Sequence, residues 1–540
     1  MSEQATADLA PGVVVGLSHR RILAIIGALA LGMLLAALDQ TIVSTALPTI
    51  VADLHGGSHI SWVVTAYLLA STVSTPMWGK LGDLYGRKAF FQASILIFLL
   101  GSVFSGLASS MVMLIACRAV QGLGAGGLMV GAQSIVADVV PPRQRGRYQG
   151  LFGAMFGVAS VVGPLLGGIL VTQLSWRWIF YVNVPVAAVA LVVVAAQVPG
   201  QLRRVHHIID YGGFFLLSGG TSALILLTSL GGTTYAWRSW PIILMGAAGL
   251  VFTVVFAALE RRVPEPLLPL RLFRIRAFSV TSLVGFIVGF AMFGVLTFLP
   301  LFYQVVQGAT PTASGLRLLP LMAGLLVMSI GSGQVISRTG KYRAFPIAGT
   351  GVMAIGLYLL SRVTPSTSTV VQDLDLVVLG FGLGSVMQVL VLVAQNAVPQ
   401  AEIGVATAGA TFFRSIGGSF GAAIFGAIFS NVLVGKLASA LRGVPLPAGT
   451  SEGSISPAAL KHLPAPVHHA FISAYASSLQ VVFLVAVPVA VLAFLVTWLL
   501  PHVEFRRTFG PTPAADGRGG APTLDAAPAG AGAPSRQTTS

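Results

Sequence analysis

Long apolar runs recur along most of this 540-residue chain. A helical run of about 20 apolar residues is long enough to cross the roughly 30 Å hydrocarbon core of a bilayer. The runs predict about 14 membrane-spanning helices, and an even number of spans puts both termini on one side. We expect the helices to begin near Ile22, Ser61, Phe90, Met111, Tyr148, Trp178, Tyr211, Pro241, Phe278, Gly315, Phe345, Leu376, Val405 and Ser477.

The composition also indicates an all-α polytopic membrane protein. Charged residues make up 9% of the chain and hydrophobic residues 55%, whereas a soluble domain is about 25% charged. Mean hydropathy is +0.87. The single cysteine, Cys117, excludes an internal disulfide and a cysteine-rich metal or cluster site. Because residues 1–18 lack the pattern of a cleaved signal peptide, we interpret the first apolar run as a retained signal anchor.

The basic residues indicate which side faces the cytoplasm. Most of the 31 lysine and arginine residues lie in segments that share a side with the termini, and cytoplasmic segments are enriched in such residues. We therefore expect a multi-pass protein of the cell membrane with both termini in the cytoplasm. A net charge of +15 is better explained by this topology and by contact with anionic lipid than by nucleic acid binding.

The second half of the chain weakly repeats the plan of the first. Glycines and basic residues after the tenth span echo the loop between the second and third spans, and glycines of the thirteenth span echo those of the fifth. This pattern predicts two six-helix bundles with pseudo-twofold symmetry, plus two inserted helices with a structural role. The expected regions are a cytoplasmic tail at 1–21, a bundle at 22–199, a linker with the inserted helices at 200–276, a bundle at 277–505 with a long extracytoplasmic loop at 431–473, and a disordered tail at 506–540.

Asp39 is the one carboxylate that the sequence places inside a long apolar stretch, which runs from Ile22 to Ala46. A charge at the centre of a membrane helix costs about 2.5–3.5 kcal/mol on insertion scales, so such an acid normally has a function. At about 1.5 Å per residue, Asp39 and Arg118 of the fourth span lie roughly 25 and 20 Å from the same surface. We therefore predict that they pair, directly or through water. The alternative is an ion pair that only locks two helices together.

Histidine is not placed to carry protons through the membrane, because all nine histidines lie in loops, tails or their edges. His468 and His469, with His462, could bind a metal or sense pH, but a solvated loop is the favoured interpretation. We therefore expect no metal site.

The run from Gly122 to Gly127 superficially matches a dinucleotide-binding loop, but it lies in an apolar helix without a preceding strand. With no hydrolase, kinase or zinc signature in a credible context, we expect neither an enzyme nor a cofactor.

Five motifs carry a resemblance to a known family. The run from Leu38 to Val43, together with Ala46-Leu47-Pro48 just after it, resembles the first-span motif of the 14-span drug:proton antiporters of the major facilitator superfamily. Residues 79–88 resemble the superfamily's loop signature between spans 2 and 3. The other matches are Arg118 to Gly124 in the fourth span, Gly153, Gly157, Gly163, Pro164, Gly167 and Gly168 in the fifth, and Trp176 to Pro185 at the entry to the sixth. The resemblance covers nearly everything from Ile22 to about Pro501.

The resemblance implies roles for these motifs. Asp83 would bond to the opposite bundle in the outward-facing state, with Arg87 and Asp138 in the same charge network. The loop could thus act as a conformational latch between the bundles. Its other residues are Gly79, Gly82, Gly86 and Lys88. In the fifth span, closely spaced glycines permit helix contact and Pro164 gives a pliable bend, so this helix could gate the outer side.

A substrate cavity is expected among the central spans. Gln388 and Gln395 share a helix face, and aromatic and methionine side chains supply soft apolar surface. Its candidate lining residues are Trp62, Tyr67, Met155, Phe290, Gln388, Gln395, Phe413 and Arg414, with Phe286 and Phe293 as further aromatics. Arg414 could cap carbonyls, face water or meet an anionic head group, and the family resemblance favours a structural role.

These features predict a proton-coupled antiporter that exports lipophilic or amphipathic small molecules such as drugs and antibiotics. Its partners would be the substrate, protons and the lipid bilayer, with the protein as a monomer. Asp39 and Arg118 would carry the coupling. The alternatives are an exporter of an endogenous lipid, siderophore or secondary metabolite, an uncoupled facilitator, and a membrane sensor or scaffold. The absence of a sizeable soluble domain argues against the sensor.

Overall fold

The computed structural model describes residues 18–54, 60–200, 208–232, 234–440 and 465–502. The tail expected at 506–540, His462, the middle of the loop expected at 431–473 and almost all of the tail expected at 1–21 lie outside these residues.

The described residues form fourteen long helices, as the apolar runs predict. Among the described residues, thirteen spans are long and apolar enough to cross a membrane, and the helix Ile60–Tyr85 accounts for the remaining predicted span. The helices are α1 His19–Leu54, α2 Ile60–Tyr85, α3 Arg87–Gly106, α4 Met111–Val139, α5 Arg145–Gln173, α6 Asn183–Gln197, α7 Tyr211–Leu230, α8 Trp240–Leu259, α9 Arg276–Leu301, α10 Leu319–Thr339, α11 Ala344–Ser361, α12 Thr369–Asn396, α13 Ile403–Ala440 and α14 Ala465–Thr497. Short helical turns at Trp178–Tyr181 and Pro311–Leu316 precede α6 and α10.

Two helices begin earlier than the apolar runs predict. α12 begins at Thr369 rather than near Leu376, and α14 begins at Ala465 rather than near Ser477. A helix can continue past the apolar stretch because its backbone hydrogen bonds form equally well in a polar turn. His468 and His469 therefore lie on a helix, which corrects their assignment to a loop.

Local sequence signals set several helix ends. The Ser110 side chain accepts the amide of Met113 at the start of α4, and Asp210 accepts the amide of Gly213 at the start of α7. Such side-chain caps satisfy amide donors that have no partner within the helix. Gly340 ends α10 with φ of 74°, and Gly86 separates α2 from α3 with φ of 107°, a conformation that favours glycine.

Helices α1–α6 pack among themselves, as do α9–α14, and the two most extensive contacts between these groups are the following. α2 packs on α13, and α5 packs on α10. The inserted helices α7 and α8 pack on each other, while α7 also contacts α2 and α13. The loops after α2, α4, α10 and α12 meet at one end of the molecule, which we call the basic end. The opposite end is called the far end.

Glycines of α4 allow two neighbours to approach closely. A Cβ on Gly122 or Gly126 would lie 2.4 or 2.5 Å from a backbone oxygen of α2, and one on Gly124 would lie 2.4 Å from the amide nitrogen of Phe98 in α3. Small residues at this spacing let membrane helices pack backbone to backbone. The glycine run that superficially matches a dinucleotide loop is therefore a helix-packing surface.

The segment after α8 folds back through a buried carboxyl group. Glu260 is 3% exposed, and its Oε1 accepts the amide of Leu268 at 3.0 Å. Burial raises the pKa of Glu260 to about 7, and the nearby Asp210 charge adds to this effect, while hydrogen bonds and Lys80 oppose it. Burial disfavours a charged carboxylate, so the folded linker binds a proton more tightly than the unfolded chain.

The packing of α3 on α4 gives a stability prediction. Gly124→Ala should lower the thermal unfolding temperature in detergent, because the new methyl group forces backbone apart at a typical cost of about 1–3 kcal/mol. Gly27→Ala is the matched control, since a Cβ on Gly27 would meet no atom within 4 Å. It should leave stability unchanged or raise it by up to about 1 kcal/mol through helix propensity. Equal effects of the two substitutions would contradict this packing.

Glu260 gives a pH prediction. Between its ordinary pKa of 4.5 and its folded pKa of about 7, the folded state holds a proton that the unfolded state has lost, so stability falls as pH rises. Wild-type protein should therefore lose more thermal stability from pH 5 to pH 8 than Glu260→Gln. Parallel unfolding profiles for the two proteins would be inconsistent with a raised pKa.

Candidate functional site

A buried ion pair lies between α1 and α4. Nη1 of Arg118 contacts Oδ2 of Asp39, and the two side chains are 1% and 0% exposed. The depth calculation from the sequence predicted this pairing, and the structure joins the two side chains directly. Breaking such a pair by removing one partner costs about 3–5 kcal/mol, because the other charge remains buried.

Polar side chains surround the pair. Gln121 donates from Nε2 to Oδ1 of Asp39 at 2.7 Å and accepts from Arg118 at 2.9 Å. Asn183 of α6 lies 3.5 Å from the same carboxylate oxygen. The Tyr67 ring lies 4.2 Å from the Arg118 guanidinium carbon, and its hydroxyl donates to the carbonyl of Ala36. Tyr67 is therefore part of the network rather than a cavity wall, which corrects the sequence-based prediction.

The helix that carries Asp39 also contacts α5. The Thr41 hydroxyl donates to the carbonyl of Ala159 at 2.8 Å, and a Cβ on Gly163 would lie 2.0 Å from that hydroxyl oxygen. Gly167 packs against Ile42 in the same way. Glycines in the far half of α5 thus hold this helix against the turn of α1 that follows Asp39.

The other half of α5 packs on α10. A Cβ on Gly153 would lie 2.8 Å from the Ser329 hydroxyl, whereas one on Gly157 would meet only ordinary contacts at 3.5 Å or more. Pro164 interrupts the α5 hydrogen bonds between the two halves and faces Gly315 of the C-terminal half. The helix therefore contacts α10 in its first part, at Gly153, and α1 on both sides of its proline, at Gly163 and Gly167.

At the basic end, Asp83 contacts the start of α13. Its two carboxylate oxygens accept the amides of Gly404 and Val405 at 3.0 and 2.8 Å. These are first-turn amides without partners inside the helix, and the positive end of the helix dipole stabilises a negative charge there. The carboxylate of one bundle thus caps a helix of the other.

Arg87 connects this cap to α4. It donates to Asp83 at 2.7 Å, contacts Asp138 and donates to the Gln400 carbonyl across the bundle interface at 3.0 Å. The Gln400 side chain returns a bond to Asp138 at 3.1 Å. The predicted network of Asp83, Arg87 and Asp138 is therefore present, and Gln400 is a member that sequence reasoning missed.

A reciprocal contact lies where α5 packs on α10. Arg143 donates from Nε to the carbonyl of Ser337 at 3.2 Å and also contacts the carbonyl of Arg338. These carbonyls lie in the last turn of α10, where the helix dipole favours a cation. An acid thus caps a helix start at one crossing and a base caps a helix end at the other.

Glycines bring the helices together at both crossings. A Cβ on Gly79 would lie 2.5 Å from the Gly404 carbonyl oxygen, and one on Gly333 would lie 2.0 Å from the Gly146 carbonyl oxygen. Not every predicted latch residue takes part. Lys88 donates to the carbonyl of Ala195 within the N-terminal half, and a Cβ on Gly82 would have only ordinary contacts at 3.5 Å or more.

The predicted cavity residues do not form one cavity. Gln395 bridges the two halves at the basic end, where it donates to the Gln133 carbonyl and to the Thr407 hydroxyl and accepts from Gln149. Gln388, seven residues earlier on the same helix face, lines a small cavity instead. Helical spacing fixes a shared face but not a shared environment.

The aromatic and methionine candidates mostly pack. Met155 joins the N-terminal core. The Phe290 ring lies 5.3 Å from that of Phe425, the Phe413 ring 5.7 Å from that of Phe273, and Phe286 lies 6.3 Å from Phe420. Of two further aromatics, Trp62 is partly exposed and Phe293 is 38% exposed.

A cavity of about 30 Å³ lies between the two halves. Its wall includes Met33, Met129, Gln133, Ser329, Gln388 and Arg414. Helices α1, α4 and α5 line one side, and α10, α12 and α13 line the other.

Asp375 is a buried acid that the sequence reasoning placed outside the membrane. It is 7% exposed and lies about 9 Å into α12 at about 1.5 Å per residue, because that helix begins earlier than predicted. It makes no hydrogen bond or ion pair with another described residue. Asp39 is therefore not the only buried carboxylate inside a long helix.

The Asp83 cap gives a conformational prediction. In a Cys117→Ser background with the buried Ser329→Cys as reporter, Asp83→Asn should speed labelling by N-ethylmaleimide about tenfold or more. Hydrogen bonds to charged groups contribute about 1.5–3 kcal/mol each, so weakening two of them favours separation of the bundles at this end. Asp53→Asn removes a charge from the exposed pair with Arg177 and should leave labelling unchanged. An unaltered rate in Asp83→Asn would refute the latch.

Comparisons with known proteins agree with this architecture. The model of the Major Facilitator Superfamily matches residues 29–207 and 211–422. An uncharacterised MFS-type transporter of Mycobacterium tuberculosis is 49% identical over 502 residues, covering 92% of this chain and 72% of its own length. Multidrug transporter protein MdtP of Bacillus subtilis is 38% identical over 470 residues, covering 83% and 86%.

Solved structures show the same fold. The proton:xylose symporter XylE bound to 6-bromo-6-deoxy-D-glucose superimposes with a TM-score of 0.59 at 15% identity, covering 92% of this chain and 99% of that one. At this identity the likeness concerns the fold alone. From the family match and its transporter relatives, the chain belongs to the major facilitator superfamily and is a membrane transporter rather than an enzyme.

Proposed function

We propose that this transporter is a proton-coupled antiporter that exports lipophilic or amphipathic small molecules across the cytoplasmic membrane. The observation that carries the proposal is the fully buried Asp39–Arg118 pair between α1 and α4. The relatives named as multidrug transporters support the export of varied compounds. An endogenous lipid, siderophore or secondary metabolite remains the alternative cargo.

Protonation of Asp39 would remove the negative charge that pairs with Arg118 between α1 and α4. A neutral carboxyl group leaves the buried Arg118 without a counter-charge, and that uncompensated charge costs about 3–5 kcal/mol. The protonated protein would therefore favour another arrangement of α1. Because Thr41 and Gly163 join α1 to α5, such a shift would reach the helix that packs on the opposite bundle.

The latch suggests which access state this arrangement represents. Asp83 and Arg143 tie the two bundles together at the basic end, which the positive-inside rule assigns to the cytoplasm. We take the bundles at 22–199 and 277–505 as the units that rock. With the cytoplasmic end closed, Asp39 would receive a proton from outside and release it inside after the bundles rock.

An uncoupled facilitator would need no protonatable group at the centre of its first helix. A neutral pair could pack α1 on α4 without the cost of burying two charges. The presence of a buried Asp39 in a shell of polar side chains therefore favours proton coupling over facilitation.

The coupling role gives a transport prediction. Asp39→Asn should abolish export driven by a pH gradient in proteoliposomes, while folding and binding of a fluorescent amphipathic substrate persist. Asp375→Asn removes another buried helix carboxylate and Asp53→Asn an exposed one, and both should retain gradient-driven export. Normal gradient-driven export by Asp39→Asn would overturn the proposal.

The alternative in which the pair only locks two helices predicts a different result for a charge swap. Combining Asp39→Arg with Arg118→Asp restores an ion pair, so the double variant should recover the folding that the single Asp39→Arg variant loses. Proton coupling should not return, because the protonatable group then lies on α4 away from Thr41. Recovery of both folding and coupling would identify the pair as a structural lock.

A further inference from the structure

We propose that this exporter recognises its substrate through Arg414 and that the substrate is an amphipathic molecule with a single negative charge, such as a lipophilic carboxylic acid. The proposal rests on the export function above and specifies the chemical class of the cargo. It depends on a guanidinium group and three polar atoms around one cavity between the bundles, none of which has a partner among the residues that the structure describes.

Arg414 lies deep in the helical bundle. It is about 16 Å along α13 from Ile403 at about 1.5 Å per residue. A Cβ on Gly289 of α9 would lie 2.2 Å from the Arg414 carbonyl oxygen and 3.2 Å from its Cγ. The absence of a side chain at Gly289 thus lets α9 pack against the backbone and stem of Arg414. The side chain remains partly exposed and lines the cavity.

The charge of Arg414 is not compensated within the described part of the chain. Its guanidinium makes no hydrogen bond, ion pair or ring contact with any residue there, whereas Arg118 pairs with Asp39 and Arg317 donates to Gln307. Asp39 is already occupied by Arg118. A cation inside a membrane protein normally pairs, binds carbonyls or faces a cavity with an anionic ligand. Capping of carbonyls, one of the roles considered from the sequence, is not observed.

Three polar atoms near Arg414 also lack partners among the described residues. They are Oε1 of Gln133, Oγ of Ser329 and Oε1 of Gln388, on side chains that are 2%, 1% and 6% exposed. All three side chains line the same cavity as Arg414. A hydroxyl can donate, and an amide that turns over presents its NH₂ group. The cavity can therefore offer neutral donors beside one fixed cation.

This set of groups selects one class of ligand. A guanidinium binds a carboxylate through two parallel hydrogen bonds, and its charge repels a cationic ligand. One uncompensated cation balances one negative charge. Met33, Met129, Phe156 and Met387 supply soft apolar surface, which adapts to varied hydrophobic bodies. A space of about 30 Å³ does not hold the whole molecule, so the bundles must separate further to admit it.

The test compares an acid with its neutral ester. Binding of dansylaminoundecanoic acid and of its methyl ester to the purified full-length transporter is measured by dansyl fluorescence, with protein-free micelles subtracted. Wild-type protein should bind the acid at least tenfold more tightly than the ester. Arg414→Gln should weaken acid binding at least tenfold and leave ester binding unchanged. Arg414→Lys should retain part of the preference, since it keeps the charge but loses the two-bond geometry.

The matched control is Arg362→Gln, which removes an exposed arginine and should preserve the preference for the acid. Equal binding of acid and ester by wild-type protein, no binding of the acid, or an unchanged acid affinity in Arg414→Gln would overturn the proposal. If Arg414→Gln does not fold, the wild-type ratio and Arg414→Lys decide the result. Because the assay uses no proton gradient, acid-selective binding without proton-driven export would reject the proposed coupling alone.

Discussion

Burial of two opposite charges in one membrane protein bundle is the constraint around which the proposed mechanism is built. Asp39 and Arg118 have almost no access to solvent, so each needs the other and the polar groups around them. Gln121, Asn183 and Tyr67 come from three different helices, and all three side chains are fully buried. Helices α1, α2, α4 and α6 must therefore keep their positions and rotations for the charges to remain compensated.

Contact between the bundles depends on a different type of electrostatic interaction. Where α2 meets α13, a carboxylate caps the positive end of a helix, and where α5 meets α10, a guanidinium caps the negative end. Glycine pairs at both crossings let the backbones approach. These contacts are strong only at short range and with correct geometry, so a small rotation can release them together. Such an interface suits two discrete access states.

The helices and the central pair could be predicted from sequence because lipid imposes simple rules. A span must be apolar and about 20 residues long, and depth along a helix is proportional to residue number. These rules predicted the number of helices and the proximity of Asp39 to Arg118. Similarity to family motifs identified Asp83, Arg87 and Asp138 as one network.

The remaining site residues depend on how each helix is rotated towards its neighbours, which spacing within one helix does not determine. Tyr67 faces Arg118 instead of a cavity, and Gln395 bridges the bundles while Gln388 lines the cavity. Hydropathy also marks where lipid contact ends rather than where a helix ends. For this reason the early start of α12, and with it the burial of Asp375, was missed.

The most direct measurement of the central claim is proton movement driven by substrate. Proteoliposomes that contain the transporter and a trapped pH-sensitive dye are given a concentration gradient of a transported compound and no initial pH gradient. Antiport through Asp39 predicts that the compound moving down its gradient drives protons the opposite way in wild-type protein, and that Asp39→Asn moves no protons. Compound movement without proton flow in the wild type, or undiminished proton flow in Asp39→Asn, would contradict the account.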